Sequence, residues 1–319
     1  MNFLVYGWYH QENLGDDLFM DAFRALWPTF DFKFVNIILS QDLKKADAVF
    51  IGGGSFLGEA LVVENQETYQ ELKEKRVFYI GVGAETKIHA THYELIRLAE
   101  LIAVRSSKKI NPITDINRNV MVIPDLVHYL KPSNSIVKLD KSVLVIPNIA
   151  VVPQWNDDHW KHAAWDYFRT EFAQFLDNLV EDGHTLHFLP LCTNYYLDDR
   201  MAAAEIVNRM VCRSNKYLLP KKNDLSSVTE TMSRYNLVIT QRYHGIVLAE
   251  MTGTPYISIS HHDKLKNPKG QSLSYYGISK DKLQEQFHHA KVSQILPIDR
   301  DMFVPLQQAV YDALCGHQK

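Results

Sequence analysis

Short apolar runs, each breaking abruptly into polar or glycine-rich residues, alternate along this chain with stretches of helical spacing. Phe3-Leu4-Val5-Tyr6 is the first such run. The polar loop 7–15 follows it, then a helix starting near Asp16 whose apolar positions Phe19, Ala22, Phe23 and Leu26 share one face. Ala48-Val49-Phe50-Ile51 runs into Gly52-Gly53-Gly54-Ser55, and Val77-Phe78-Tyr79-Ile80 runs into Gly81-Val82-Gly83. Leu101 to Ser106 and Val120 to Asp125 repeat the change from apolar to polar. Continuous apolar runs, as opposed to alternating ones, belong to strands covered on both faces, so the pattern predicts a parallel sheet flanked by helices. The segment 59–74 between two of these strands is expected to be an amphipathic helix.

A charged connection spans 131–141, and the pattern then restarts with Ser142-Val143-Leu144-Val145-Ile146-Pro147-Asn148. This places a boundary between a domain over 1–135 and a second over 136–319. In the second half a helix over 160–182 ends at Gly183, a strand runs over 184–190, and a helix lies near 201–210. Asp198 and Asp199 stand at the start of that last helix, where they serve either as helix caps or as contacts to a substrate hydroxyl. The final stretch 303–314 has helical spacing and is expected to pack back onto the first domain. The fold class is therefore α/β with parallel sheets in two domains.

A length of 319 residues with 46% hydrophobic content is enough for two cores. The net charge of −3 gives no electrostatic basis for binding nucleic acid or an anionic membrane surface. The amino-terminal residues lack the apolar length of a signal peptide, and no run approaches a membrane span. Three cysteines in unrelated contexts (Cys192, Cys212 and Cys315) suit a reducing compartment, so a cytoplasmic location is expected. His261-His262-Asp263 and His288-His289 lack metal-ligand spacing, and no metal site is expected.

The densest chemistry lies in Thr240-Gln241-Arg242-Tyr243-His244-Gly245, directly after Leu237-Val238-Ile239. The strand is expected to end in this Arg-x-His, with Arg242 and His244 on the same face, because side chains alternate along an extended chain. The pair combines a planar fork of donors for a phosphate or carboxylate with a base that titrates near neutral pH. The segment continues into a short helix closed by Gly253 and then the strand Tyr256-Ile257-Ser258-Ile259-Ser260. In an open α/β sheet ligands collect beyond the carboxyl ends of the strands, and this motif lies there. Asn13, Gly15 and the glycine loop Gly52-Gly53-Gly54 occupy equivalent ends in the first half, where missing side chains let a phosphate or sugar approach the backbone. Neither glycine-rich nucleotide fingerprint is present. Trp8, Tyr9 and His10 either cap the sheet edge or meet an acceptor, while Trp8, Tyr9 and Trp155 would suit a sugar or a nucleobase.

Taken in order, Asn13-Leu14-Gly15-Asp16, Phe50-Ile51-Gly52-Gly53-Gly54, Arg105-Ser106, Pro124-Asp125, Leu189-Pro190 with Asp198, and Arg242-Tyr243-His244 through Gly253-Thr254-Pro255 to Lys264 resemble the polysaccharide pyruvyl transferase family over most of the chain. The resemblance implies two Rossmann-like domains in a GT-B-like arrangement, with a ligand site in the interdomain cleft. The first domain would take the acceptor and the second the donor. It further implies transfer of the enolpyruvyl part of phosphoenolpyruvate to a sugar, forming a ketal and releasing phosphate, with no other cofactor. On this resemblance Arg242 and His244 hold the phosphoenolpyruvate anion, and His244 does the acid/base work. Arg105 is a second anion clamp; Asn13, Gly15, Asp16, Gly52, Gly53, Gly54, Asp198 and Lys264 complete the substrate site. In the family an aspartate commonly follows the first-domain arginine. Ser106-Ser107 stands here instead, so the usual support for Arg105 is absent from this stretch.

Two other functions are compatible with the same residues: a nucleotide-sugar glycosyltransferase on the same architecture, and a non-catalytic sugar-binding homologue. The acceptor sugar and its attachment, whether to lipid, nucleotide or free glycan, are not legible in the sequence.

Overall fold

The computed structural model describes residues 1–55, 57–84, 87–135, 137–154, 157–260, 271–290 and 298–315. Lys264, Trp155 and the His261-His262-Asp263 run lie outside the described residues. Two compact units are present: one of Met1–Gln11, Gly15–Lys131 and Ile298–Lys319, the other of Glu12–Leu14 and Pro132–Pro297.

In the first unit the apolar runs become strands β1 (Asn2–Tyr6), β2 (Asp31–Val35), β3 (Ala48–Gly54), β4 (Arg76–Val82), β5 (Leu101–Val104) and β6 (Val120–Val122). Helices α1 (Leu14–Leu26), α2 (Ser40–Leu43), α3 (Gln66–Lys73), α4 (Ala90–Leu98) and α5 (Asn111–Thr114) alternate with them. All pairings are parallel, in the order β2-β1-β3-β4-β5-β6. Order reverses between β1 and β3, so the loops after these two strands open at the position where such sheets bind ligands.

Both sheet faces are buried. An aromatic layer of Phe3, Phe23, Trp27, Phe32 and Phe50 packs at ring separations of 5.1 to 6.1 Å on one side, and Val49, Ile51, Val77, Tyr79 and Ile102 fill the other. The predicted helix over 59–74 is shorter than its periodicity suggests. Val63 pairs in extended form with Ile38 and Glu64 N–H donates to Ile38 O, so α3 begins only after Asn65, whose side chain caps Thr68 N–H at 2.8 Å.

In the second unit the strands are β7 (Ser142–Ile146), β8 (Thr185–Phe188), the hairpin pair β9 (Thr193–Asn194) and β10 (Leu197–Asp198), β11 (Lys216–Leu218), β12 (Leu237–Thr240), β13 (Tyr256–Ser260) and β14 (Gln271–Ser274). The helices are α6 (His159–Glu181), α7 (Asp199–Arg209), α8 (Leu225–Ser233), α9 (Tyr243–Thr252) and α10 (Lys280–Ala290). The main sheet is parallel in the order β11-β8-β7-β12-β13-β14. Numbered within the unit this is 3-2-1-4-5-6, the dinucleotide-fold order, with its switch point between β7 and β12. Phe168, Phe172, Phe175 and Leu179 of α6 and Leu283 and Phe287 of α10 bury one face against Val143, Val145, Leu237, Ile239 and Ile257. Gly183 and Gly253, at φ +85° and +63°, close α6 and α9 in the left-handed conformation. Helix α11 (Val304–Cys315) counts with the first unit. There Gln307 Nε2 donates to Leu26 O at 2.6 Å and Arg76 donates to the carbonyls of Ala313 and Leu314.

The Arg242/His244 segment departs from the expected strand. β12 ends at Thr240, Arg242 is the residue preceding α9, and His244 lies inside the helix, so the two side chains are not placed by strand alternation. Thr240 causes the turn. Its Oγ1 accepts from Arg242 N–H and donates to Arg242 O, both at 3.0 Å, which diverts the backbone into the helix. Gly245 lets the turn close, because a Cβ there would stand 2.1 Å from Thr240 Oγ1 and 3.3 Å from Ile146 Cδ1. Behind it α9 is apolar all round and buried, and Tyr256 OH donates to Glu250 Oε1 at 3.0 Å to tie the helix to β13.

Two consequences are measurable. Gly245→Ala must push this turn apart, and a loss of about 1–3 kcal/mol is expected from such overpacking; an unchanged urea midpoint would contradict the packing described. In the first unit, burial holds the His92 imidazole down at about 4, against a smaller opposing bond from the Glu59 backbone, while its Nδ1 meets Tyr79 OH at 3.0 Å. The folded value lies below the unfolded one, so the unfolded chain takes up the proton first. The contribution is complete above pH 6.5 and is lost as pH falls toward 4, on the order of 3 kcal/mol in all. Urea midpoints measured across this window should fall in the wild type and fall less in His92→Gln.

Candidate functional site

At the switch point of the second unit, the loops after β7 and β12 are joined side chain to backbone. Gln241 N–H donates to Ile146 O at 2.9 Å. Asn148 N–H donates to Gln241 Oε1 at 3.2 Å, and Asn148 Nδ2 donates to Gln241 O at 3.3 Å. Asn148 Oδ1 accepts from Ala150 N–H at 3.0 Å, which sets the single 3-10 turn Ile149–Val151. Gln241 is buried, and its Nε2 has no hydrogen-bond partner among the described residues.

Asp199 is the centre of this corner. It is fully buried, and an ionised carboxylate out of water must be paired and hydrogen-bonded. Its partners come from three segments. Arg242 Nε lies 3.1 Å from both carboxylate oxygens and Arg242 Nη2 also reaches Oδ1. Ile149 N–H donates to Oδ1 at 3.1 Å, while Leu191 and Cys192 N–H donate to Oδ2 at 3.2 and 2.9 Å. One edge of the Arg242 fork is thus committed to Asp199, which fixes the plane of the guanidinium beside the start of α9. His244 follows in the first turn of that helix, half-buried, its ring edge-on to Tyr243 at 5.5 Å.

The structure brings Asn13 to the same corner. Asn13 forms a β-bridge with Cys192, Leu14 N–H donates to Leu191 O at 2.9 Å, and Thr193 N–H donates to Glu12 O at 3.0 Å. Glu12 adopts a left-handed φ of +56°, a costly conformation for this residue type, and is held in it by Thr193 Oγ1 at 2.9 Å and Lys221 Nζ at 3.2 Å. Those two partners, the Thr193 hydroxyl first, keep the Glu12 carboxyl below the usual glutamate range. Asp198 makes a different set of bonds. It caps Arg200 N–H at 2.9 Å and pairs with the Arg200 guanidinium, which lowers its pKa.

In the first unit the glycine loop and Arg105 share one neighbourhood. Arg105 Nη2 donates to Ser55 Oγ at 2.9 Å, directly after Gly52-Gly53-Gly54. Arg105 Nη1 pairs with Asp125 at 2.9 Å, with only 6% and 0% of the two side chains exposed. The aspartate absent after Arg105 in sequence is therefore supplied by the loop after β6. The guanidinium also lies over the Phe19 ring at 5.9 Å. Packing already requires two of the glycines: a Cβ at Gly52 would meet Ile80 O at 2.7 Å, and one at Gly53, where φ is +72°, would meet Phe19 Cγ at 2.9 Å. Gly15 and Asp16 lie buried at the start of α1. Tyr9 is a core residue whose OH donates to Gly52 O at 2.7 Å, whereas Trp8 is 44% exposed.

In the sequence Asp198 and Asp199 carry the same two possible roles at a helix start, and nothing local marks Asn148, Gln241 or Ser55 as a site residue. The available signal was position, since Asn148 and Gln241 each follow the apolar run of a strand now seen at the switch point. Among the described residues no group of three or more His, Cys, Asp or Glu side chains has the arrangement to hold a metal ion, and no helix is long and apolar enough to cross a membrane.

The fold is similar to that of nucleotide-sugar epimerases. A putative UDP-N-acetylglucosamine 2-epimerase from Listeria monocytogenes superposes with a TM-score of 0.61 at 9% identity, covering 100% of this chain and 97% of the other. The UDP-GlcNAc 2-epimerase from Neisseria meningitidis bound to UDP-GlcNAc gives 0.60 at 10% identity, over 99% and 100%. At such identities the likeness is one of fold, GT-B-like with two parallel six-stranded sheets. No curated protein matches the sequence. A family model described as polysaccharide pyruvyl transferase matches residues 12–263, a span that begins at the Glu12 loop and runs past Asp199, Arg242 and His244. By that match over most of its length, the chain belongs to the polysaccharide pyruvyl transferase family.

Proposed function

We propose that this protein transfers a pyruvyl group from phosphoenolpyruvate to a sugar hydroxyl of a polysaccharide or glycan precursor, forming a ketal and releasing phosphate. The observation that carries the proposal is the Asp199-Arg242 pair at the β7/β12 switch point, followed at once by His244 on α9. Phosphoenolpyruvate presents a carboxylate and a phosphate. A guanidinium held in a fixed plane recognises either one through paired N–H donors, which a lysine does not reproduce.

In the proposed reaction His244 delivers a proton to the methylene carbon of phosphoenolpyruvate, leaving C2 electron-poor. A sugar hydroxyl adds to C2 and gives up its proton. The C2–O bond to phosphate then breaks, phosphate leaves with the bonding pair, and a second hydroxyl of the sugar closes the ketal as its proton is released. The balance is one phosphoenolpyruvate and two hydroxyls in, one ketal and one phosphate out. The acceptor is assigned to the loops of the first unit, with Gly52, Gly53, Gly54, Gly15 and Asp16; Arg105, as a second anion clamp, and Asn13, Asp198 and Lys264, in substrate binding, are assigned on the family resemblance.

The test is phosphate release from phosphoenolpyruvate by the purified protein with a panel of acceptor glycans. Release is expected to depend on acceptor, and His244→Ala is expected to lower turnover by about 10²–10⁴ with the fold intact. Full activity of that variant would remove His244 from the chemistry. No release with any acceptor, with thermal stabilisation by uridine or guanosine diphosphate instead, would replace pyruvyl transfer by glycosyl transfer.

A further inference from the structure

The 3-10 turn Ile149–Val151 that donates to Asp199 has a second role, because the residues that follow it wall a separate pocket in the second unit. The pocket holds about 130 Å³ and is lined by Val152, Pro153, Trp160, Lys161, Tyr275 and Tyr276 among others. This is well below the several hundred Å³ of a site for an extended ligand, so it is sized for a single ring. Trp160 and Tyr276 are 55% and 60% exposed, yet their rings stand 6.1 Å apart at 45°. Two large aromatic rings held together in water at a pocket mouth form an apolar platform that no described residue covers.

Tyr275 gives an independent indication. It is 4% exposed, its ring packs on Phe168 at 4.6 Å, and its OH is buried with no hydrogen-bond partner among the described residues. A buried phenol in that state is costly and is relieved by a ligand hydroxyl. The charged groups at the pocket, Lys161 and Asp157, neutralise each other at 2.7 Å, so an anion has no net attraction here. A ligand with C–H faces for two aromatic rings and a hydroxyl for Tyr275, without charge, is a pyranose.

We infer that this pocket is a carbohydrate subsite that holds one pyranose ring against the Trp160 and Tyr276 platform, with a hydrogen bond to Tyr275 OH. That the pyranose belongs to the acceptor glycan rests on the proposed function; the binding does not. The turn Ile149–Val151 carries the pocket on the same loop as Asn148, so a glycan seated there lies along the loop that also supports Arg242.

The direct test is saturation-transfer NMR without phosphoenolpyruvate, using the methyl pyranosides of glucose, galactose, mannose and N-acetylglucosamine as probes. Transfer to the ring C–H protons of at least one is expected in the wild type. It should be lost in Trp160→Ala and weakened about tenfold in Tyr275→Phe, which keeps the ring and removes only the hydroxyl. Trp160 is exposed, so its variant is expected to keep the wild-type melting temperature. No transfer to any probe, or equal transfer in wild type and Trp160→Ala, would overturn the assignment. If transfer occurs but phosphate release never does, the subsite stands and the pyruvyl-transfer reading falls.

Discussion

A carboxylate with no exposed surface, Asp199, organises the part of the molecule where chemistry is expected. Burying an isolated charge costs far more than a domain can supply, so Asp199 is stable there only because Arg242 and three backbone N–H groups surround it. Those partners belong to the loops after β7, β8 and β12. Satisfying one charge therefore fixes the relative positions of three strand ends and aims the arginine that follows β12. Removing either member would leave the other buried without its counter-ion, a loss of about 3–5 kcal/mol. The pair is costly as a stabilising device and well suited to holding a guanidinium in one orientation.

The first unit uses the same device. Arg105 follows β5 and is held by Asp125, buried and 20 residues further along, and by Ser55 at the end of the glycine loop. In each unit an arginine beyond a strand has its plane set by an aspartate from another loop. An arginine so restrained has already lost its side-chain freedom, and an anion that binds to it does not meet that entropic cost again. The same economy is visible at Thr240, whose hydroxyl turns the chain and so decides that Arg242 precedes a helix while His244 lies inside it.

Most of the architecture was legible because parallel strands buried on both faces leave continuous apolar runs, as in Ala48 to Ile51 and Val143 to Ile146. The elements that escaped are edge or surface pieces. β2, Asp31-Phe32-Lys33-Phe34-Val35, alternates polar and apolar residues, and β11 and the β9/β10 hairpin are too short to carry a period. The residue types of the site were legible in Arg242 and His244, but their geometry was not. Periodicity does not encode that a threonine hydroxyl ends the strand at Thr240, before either Arg242 or His244. Nor does it show that Asp199, 43 residues before Arg242, is its partner and that Asp198 beside it is a helix cap. The partner of Arg105 was hidden for the same reason, since a contact across 20 residues leaves no local pattern.

On the proposed function, Asp199 and Arg242 act as one unit that positions phosphoenolpyruvate. The most direct measurement is a double-mutant cycle on phosphoenolpyruvate affinity, by calorimetry, over wild type, Asp199→Asn, Arg242→Lys and the double variant. Each single substitution is expected to weaken binding tenfold or more, and the double variant to bind no worse than the weaker single. Wild-type affinity in both single variants, or losses that simply add, would contradict it.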